Sequence, residues 1–491
     1  MATASFSIFL AGEADTDRLA RHLAPLLLAG DTVLLAGPIG SGKTHFCRAV
    51  IRARLGYHED VPSPTYTIVQ TYDGTPDIWH ADLYRLTHPD EARELGLEEA
   101  FMTAISLVEW PDRLGQLVPP GAIRITLSPQ DEGRLAKIDL GQRGDLAPGL
   151  AAAFPTPARE DARRKLLTQA GWAAAERVPL AGDASARRYE RLWLNGQSRI
   201  LMDAPPGLID DLNDFLRIDE HLRRIGLSAP ILHDADTAQG FLLLEDLGEQ
   251  VFAALIARDP AMEIPLYRAA IDVLVHLQGQ PPAPDLANLS AQDWAEAALV
   301  ALDWYGFAIT GARIDGQEFT AVLADLLSAR ADGTRTMILR DYHAENLMWL
   351  PRRSGLARVG LLDFQLAQMG QPGYDLVSLL QDARRDVGAE TETALIKHFI
   401  AAKGIFAQDF APAYAALGAQ RALRILGIFA RLCLVEGKAG YLALIPRVWG
   451  QLQRNLAHAD LTRMRQVCDK ILPPPSPENL RRIEGKCGAF R

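Results

Sequence analysis

The sequence predicts an α/β sheet domain joined to a second, two-lobed α+β domain. Three observations carry this. The apolar run Thr32–Ala36 feeds the glycine loop Gly37-Pro-Ile-Gly-Ser-Gly-Lys-Thr44, and a helical pattern follows directly. Far downstream, a short apolar run feeds Leu339-Arg-Asp-Tyr-His-Ala-Glu-Asn346, and Leu361-Leu-Asp-Phe-Gln365 stands on another apolar run soon after. Between the two, residues 141–161 are rich in Gly, Pro and Ala and have no period, as expected of a connection between domains. The linker is placed within that stretch at 148–161, between a first domain, 1–147, and a second, 162–491. A chain of 491 residues is long for one hydrophobic core, which agrees with the division.

Each element has its own signal. In the first domain Leu19–Leu28 has helical spacing, Thr32–Ala36 is an apolar strand, and Lys43–Leu55 is helical again. Strands are expected at Ile68–Tyr72, Ile78–Leu83, Ile105–Val108, Ile123–Leu127 and Leu135–Leu140. The order strand, glycine loop, helix, further strands reads as an α/β sheet. In the second domain Tyr189–Leu194 and Arg199–Met202 flank Asn195-Gly196, a two-residue hairpin signal. A helix is expected over Leu208–Ile225 and a strand with its connector over 242–249. The remainder reads as mostly helical apart from Met337–Leu339 and Val359–Leu362.

Composition narrows the function classes. The chain is 48% hydrophobic and 23% charged, which excludes a mostly disordered protein. A net charge of −10 argues against broad, unassisted binding to nucleic acid. Cys47, Cys433, Cys468 and Cys487 form no close pair, so reduced thiols in a cytoplasmic protein are expected rather than a disulfide frame. The start of the chain lacks a basic segment before its short apolar run, and no apolar stretch reaches the length of a membrane span.

The loop at 37–44 is built for phosphate. Its glycines, Gly37, Gly40 and Gly42 with Ser41 between them, let backbone N–H groups turn toward an anion, and the helix N-terminus adds its dipole. Lys43 reaches the outer phosphates of a nucleotide and the Thr44 hydroxyl is a magnesium ligand. Asp82 ends an apolar strand and is expected to complete the magnesium shell opposite Thr44. Glu109 closes the strand at 105–108, the edge where ligands bind in open α/β sheets, and is the candidate to orient or deprotonate a water. Trp110 beside it offers a face for a base or ribose, or packs. Thr65 and Thr67 lie in a Pro-containing loop that either senses the γ-phosphate or is plain solvated loop. The segments SPTYTIV at 63–69, HADLYRL at 80–86, ELGLEEA at 94–100 and ISLVEWPDRL at 105–114 resemble the TsaE family. That family comprises ATPases serving the complex that forms threonylcarbamoyl-adenosine at position 37 of tRNA. The resemblance covers nearly all of 1–140. It implies a P-loop NTPase fold, ATP and Mg2+, and partner subunits of TsaB and TsaD type, with tRNA met only through that complex. Pro38 departs from the family pattern, which has an acidic residue there.

The second constellation has the layout of a phosphotransferase. Asp341 is placed to accept the proton of a substrate hydroxyl, while Asn346, five residues on, and Asp363, 22 residues on, are magnesium ligands. The segments GDASARRYERL at 182–192, RILMDAPP at 199–206, LLLEDLG at 242–248, RDYHAENLMWL at 340–350, LLDFQLAQMGQPGYDLVSLLQDAR at 361–384 and YLALIPRVW at 441–449 resemble the aminoglycoside-phosphotransferase-like family. Within it they are most similar to the AmgK kinases, which phosphorylate the anomeric hydroxyl of N-acetylmuramate and N-acetylglucosamine. The resemblance spans about 165–480 and implies a protein-kinase-like fold. Asp341 then carries over as catalytic base and Asn346 and Asp363 as metal ligands. Residues 182–189, with Asp183, Ser185, Arg187 and Arg188, become the loop over ATP, and Asp375 braces the catalytic loop.

One element is missing. Kinase-like folds place a lysine on an early strand, yet this chain has no lysine between Lys165 and Lys397, and Met202 stands at that position. Leu339 likewise replaces the histidine of the usual H-x-D form. Either Arg187, Arg188 or Arg199 supplies the positive charge, or the domain is a silent nucleotide-binding module that regulates the first. A kinase acting on an aminoglycoside or another hydroxyl compound is the third reading. Trp304, Tyr305 and Arg384 are conceivable sugar contacts, with core packing or a surface ion pair the plainer role for each. The preferred expectation is a fusion of a tRNA-modification ATPase with an amino-sugar kinase.

Overall fold

The computed structural model describes residues 5–10, 12–56, 61–86, 88–130, 133–147, 149–150, 154, 157–180, 187–206 and 212–490. The chain forms two compact units. One comprises Met1–Glu190, Met202–Leu208 and Ala238–Phe241, the other Arg191–Leu201, Ile209–Thr237 and Leu242–Arg491.

The first unit holds a seven-stranded sheet in the order β1-β7-β6-β2-β5-β4-β3. Its strands are β1 (Ser5–Leu10), β2 (Thr32–Ala36), β3 (Val69–Tyr72), β4 (Ile78–Asp82), β5 (Ile105–Glu109), β6 (Ile123–Gln130) and β7 (Gly133–Asp139). The central strands β4, β5, β2 and β6 run parallel, and antiparallel strands close both edges. Central β2 is apolar throughout because it is covered on both faces. Val33 and Leu35 enter one core cluster with helices α1 (Glu13–Leu23) and α2 (Lys43–Leu55), while Leu34 enters another with Ala81 and Val108. Toward the edge, β6 alternates, with Ile123, Ile125 and Leu127 buried and Arg124 and Thr126 exposed.

Two local expectations needed correction. The first helix begins at Glu13 and stops at Leu23, because Pro25 opens a 3-10 turn at Ala24–Leu26. Leu27 is apolar because it is core, not because the helix continues. Ile68 has φ 65°, so the strand expected from Ile68 begins one residue later. Sequence reading also passed over β1, whose buried Ile8 and Leu10 alternate with exposed Phe9 and pair its strand with β7.

A second sheet has five strands in the order β11-β12-β10-β9-β8: β8 (Glu176–Leu180), β9 (Arg188–Leu194), β10 (Gln197–Asp203), β11 (Leu232–Asp236) and β12 (Phe241–Glu245). The Asn195-Gly196 turn joins β9 to β10 with φ 50° and 75°, the left-handed pair that a two-residue hairpin requires. The helix expected from Leu208 is seen at Leu212–Arg224, the residues before it lying outside those described.

The remainder of the chain is mostly helical, threaded by two short antiparallel ladders: β13 (Thr336–Ile338) with β16 (Gln368–Gly370), and β14 (Leu347–Trp349) with β15 (Val359–Leu361). Its spine is the 30-residue helix Ala407–Glu436. At Gly427 that helix approaches the Val300–Ala301 backbone so closely that any side-chain carbon would collide with it. Among the described residues no helix is long and apolar enough to cross a membrane.

Candidate active sites

In the first unit the glycine loop sits where the sequence puts it, between β2 and α2. Gly37, Gly40 and Gly42 take φ values of 142°, 78° and 99°, which L side chains rarely adopt. At Gly37 a Cβ would also overlap the Leu127 carbonyl oxygen. Lys43 is buried, and its Nζ donates to the Gly37 and Pro38 carbonyls, each at 2.9 Å, while lying 4.1 Å from the centre of the Trp110 ring. Burial lowers its pKa, opposed by the nearby Glu109 and Asp82 carboxylates.

Strand register assembles the rest. Leu35 of β2 lies beside Glu109 of β5, and Glu109 beside Asp82 of β4. The glycine loop and both carboxylates therefore share one edge of the parallel sheet. The Thr44 hydroxyl donates to Glu109 Oε2 at 2.8 Å, and His80 Nε2 bonds Glu109 Oε1 at 3.0 Å. Asp82 is held differently. Its Oδ2 accepts from the Thr65 hydroxyl at 2.6 Å and its Oδ1 from the Tyr84 N–H at 3.1 Å. Trp110 has φ 60° and packs on Tyr84, ring centres 5.0 Å apart.

Thr44, Asp82 and Glu109 are thus three oxygen donors at one sheet edge, a set that suits a hard cation such as magnesium. Sequence reasoning missed His80, which fixes Glu109 from below. The alternation His80-Ala-Asp82 on a strand was its available signal, since residues two apart share a face. Arg134 was missed too; its guanidinium donates to the Ser41 carbonyl at 3.1 Å.

The second unit brings Asp341, Asn346 and Asp363 together. Asp341 follows β13 on a tight loop in which Arg340 takes φ 71°. Asn346 Nδ2 donates to the Asp341 carbonyl at 2.9 Å and lies 3.4 Å from Asp363 Oδ2. The β14–β15 ladder pairs Leu347 with Leu361, which sets Asn346 and Asp363 at one end of the hairpin. With its nitrogen committed, Asn346 offers its carbonyl oxygen, and with the Asp363 carboxylate this again suits a hard cation. Gln365 Nε2 donates to Asp363 Oδ1 at 2.6 Å.

Asp375 is fully buried and accepts the Leu339 and Arg340 N–H groups at 2.7 and 2.9 Å, tying the loop that carries Asp341 to the helix Tyr374–Leu380. Burial pushes its pKa up to about 7, against the pull of those two donors. His343 was not anticipated. It is buried between Asn346 and Arg384, and burial lowers its pKa to about 3, so the ring stays neutral. Arg384 pairs with Glu345 at 2.9 Å. Tyr305 is core, its hydroxyl donating to the Pro473 carbonyl at 2.7 Å.

The candidates for the missing lysine's charge are placed as follows. Met202 is fully buried in β10. Arg199, on the same strand, turns to His233 of β11. Arg187 is buried, and burial lowers the pKa of Arg188 while Asp203 raises it. Asp183 and Ser185 lie outside the described residues.

Comparison with known proteins matches two separate stretches of the chain. Residues 10–136 match the model of the threonylcarbamoyl adenosine biosynthesis protein TsaE, and residues 176–417 that of the phosphotransferase enzyme family. An N-acetylmuramate/N-acetylglucosamine kinase of Caulobacter vibrioides is 35% identical over 356 residues, covering 64% of this chain and 97% of that protein. Its namesake from Pseudomonas aeruginosa is 32% identical over 313 residues, covering 60% of this chain and 88% of that one. A tRNA threonylcarbamoyladenosine biosynthesis protein TsaE of Rickettsia felis is 41% identical over 128 residues, covering 26% of this chain and 75% of that one.

Proposed function

Because the chain belongs both to the TsaE family and to the N-acetylmuramate/N-acetylglucosamine kinases, we propose that it is a fusion enzyme with two separate ATP-using sites. The first is a tRNA-modification ATPase and the second an amino-sugar kinase. The observation that carries the reading is the duplication of one chemical arrangement on two unrelated frames: oxygen donors brought together at a backbone turn that can face a nucleotide's phosphates.

In the first site the glycine loop and Lys43 hold the phosphates of ATP. Lys43 must give up its bonds to the Gly37 and Pro38 carbonyls to do so. Thr44 and Asp82 take the metal, and Glu109, steered by His80, positions the attacking water. Trp110, already stacked over Lys43, borders the place of the outer phosphates. The ATP cycle resets or regulates partner subunits of TsaB and TsaD type, which bring the tRNA; a chain of net charge −10 is suited to that division of labour.

In the second site Asp341 removes the proton of the anomeric hydroxyl as that oxygen attacks the γ-phosphate, and ADP leaves with the bridging oxygen as the γ-phosphorus bond to it breaks. Asn346 and Asp363 hold the metal, which when bound screens the phosphate charge. An arginine of the set Arg187, Arg188 and Arg199 takes the place of the strand lysine. Both sites use ATP and Mg2+ in the cytoplasm.

The test is phosphorylation by the full chain of N-acetylmuramate, N-acetylglucosamine and kanamycin, with Asp341→Asn as control. Amino-sugar phosphate made by the wild type and lost in the variant supports the kinase. No product from any acceptor would leave the domain a silent module, and product from kanamycin alone would make it an antibiotic kinase.

A further inference from the structure

Beneath the first nucleotide site a buried thiol that ATP chemistry does not explain, Cys47, joins the His80–Glu109 pair. Cys47 Sγ, a ring nitrogen of His80 and a carboxylate oxygen of Glu109 lie within 4.8 Å of one another. All three residues are buried, Cys47 and His80 fully so, and the His80 Nδ1 has no hydrogen-bond partner among the described residues. Cys47 stands one helical turn beyond Lys43 on α2, while His80 and Glu109 come from the neighbouring strands β4 and β5. Rigid elements therefore hold all three donors. Nothing in ATP hydrolysis calls for a thiol here. A cysteine filling space would not need imidazole and carboxylate on its sulfur side.

We propose that Cys47, His80 and Glu109 form a binding site for a zinc-class divalent cation, and that its occupancy withdraws Glu109 from Thr44. The donor set of one thiolate, one imidazole and one carboxylate is the borderline-soft mixture that such ions prefer and that magnesium does not. With metal–sulfur and metal–nitrogen bonds of about 2.3 and 2.0 Å, tetrahedral ligands stand roughly 3.5 Å apart. The ligand atoms, all within 4.8 Å of one another, reach that spacing with a closure of no more than about 1.3 Å. Without metal, burial and the nearby Glu109 and Asp82 carboxylates hold the Cys47 thiol protonated. The cation's charge reverses that balance, and the thiol proton leaves to solvent as the metal–sulfur bond forms. A cation held by Cys47 and His80 takes Glu109 through Oε1, the oxygen His80 now holds, and the closure this requires draws Oε2 away from the Thr44 hydroxyl. The coupling to ATP, unlike the metal site itself, rests on the reading of Thr44 and Glu109 as parts of the nucleotide site.

The experiment titrates the full chain with cobalt(II) alone, as an optical stand-in for zinc. One equivalent per chain should bind and give a thiolate-to-cobalt charge-transfer band. Cys47→Ala should abolish the band and weaken binding at least roughly tenfold. Cys47→Ser, which keeps the volume, is measured beside it, so that a packing defect in one does not pass for loss of a ligand. A chain with Cys433, Cys468 and Cys487 all changed to Ser must keep the band. Absence of the band in the wild type, or its survival in both Cys47 variants, overturns the site. For the coupling, measured on an Asp363→Asn chain so that only the first site binds nucleotide, zinc should weaken binding of a fluorescent ATP analogue and should not once Cys47→Ala is added; equal weakening in both, or none, overturns it. Failure of the nucleotide-site reading shows separately, as analogue binding at the first site that Lys43→Ala leaves unchanged.

Discussion

Replacing Asp375 with Asn should cripple the sugar kinase without touching any group that meets a substrate. The Asp375 carboxylate accepts two N–H groups, from Leu339 and Arg340, the residues that set the path of the loop into Asp341. Asparagine has one acceptor oxygen, so its amide nitrogen would face one of those donors. The loss is one hydrogen bond and one buried N–H left unpaired, roughly 1–3 kcal/mol. If the transition state bears that whole cost, kcat falls by about 5- to 150-fold. KM for ATP and sugar should hardly change, because the nucleotide and acceptor surfaces are intact.

The same residue has a pH signature. Its folded pKa of about 7 lies above the ordinary carboxylate value of 3.8, so between them the folded chain holds a proton that the unfolded chain releases. Its contribution to stability is present in full below about pH 4 and is lost as pH rises through about 7. Asp375→Asn removes that dependence. The assay is steady-state sugar phosphorylation by the full chain, with thermal melting at pH 5 and pH 8. A variant that melts cooperatively and keeps kcat within about twofold of wild type would refute the bracing role.

Three further outcomes follow from the geometry. Lys43→Ala should abolish nucleotide binding at the first site and leave amino-sugar phosphorylation unchanged, read by the two assays on one preparation. Gly427→Ala puts a methyl group into the Val300–Ala301 backbone and should destabilise the second unit by about 1–3 kcal/mol, seen as a lower melting temperature. His343, held neutral with a pKa of about 3 against an ordinary 6.5, binds its proton more readily when unfolded. Its contribution is present above about pH 6.5 and lost as pH falls toward 3, so His343→Gln should flatten the acid limb of the stability profile.

The two sites differ in how far the sequence exposed them. Lys43 and Thr44 were readable from the glycine loop between an apolar strand and a helix, and Asp82 and Glu109 because each ends an apolar strand that parallel register aligns with its neighbour. Asp341, Asn346 and Asp363 were readable from spacing, and the bracing role of Asp375 from its place in the GYDL motif. What escaped was partnership across the chain. That Glu109 rather than Asp82 accepts the Thr44 hydroxyl depends on β5 lying beside β2, an order local patterns do not encode. His80, Cys47 and His343 look like ordinary core residues until the strands and loops around them are in place. The first strand was hidden because six residues at an edge carry only a brief alternation.

The most direct test of two independent ATP sites is the stoichiometry of a non-hydrolysable ATP analogue with Mg2+ on the intact chain. Two equivalents should bind the wild type, one each Lys43→Ala and Asp363→Asn, and none the double variant. A single equivalent in the wild type, or loss of both on changing either residue, would contradict the account.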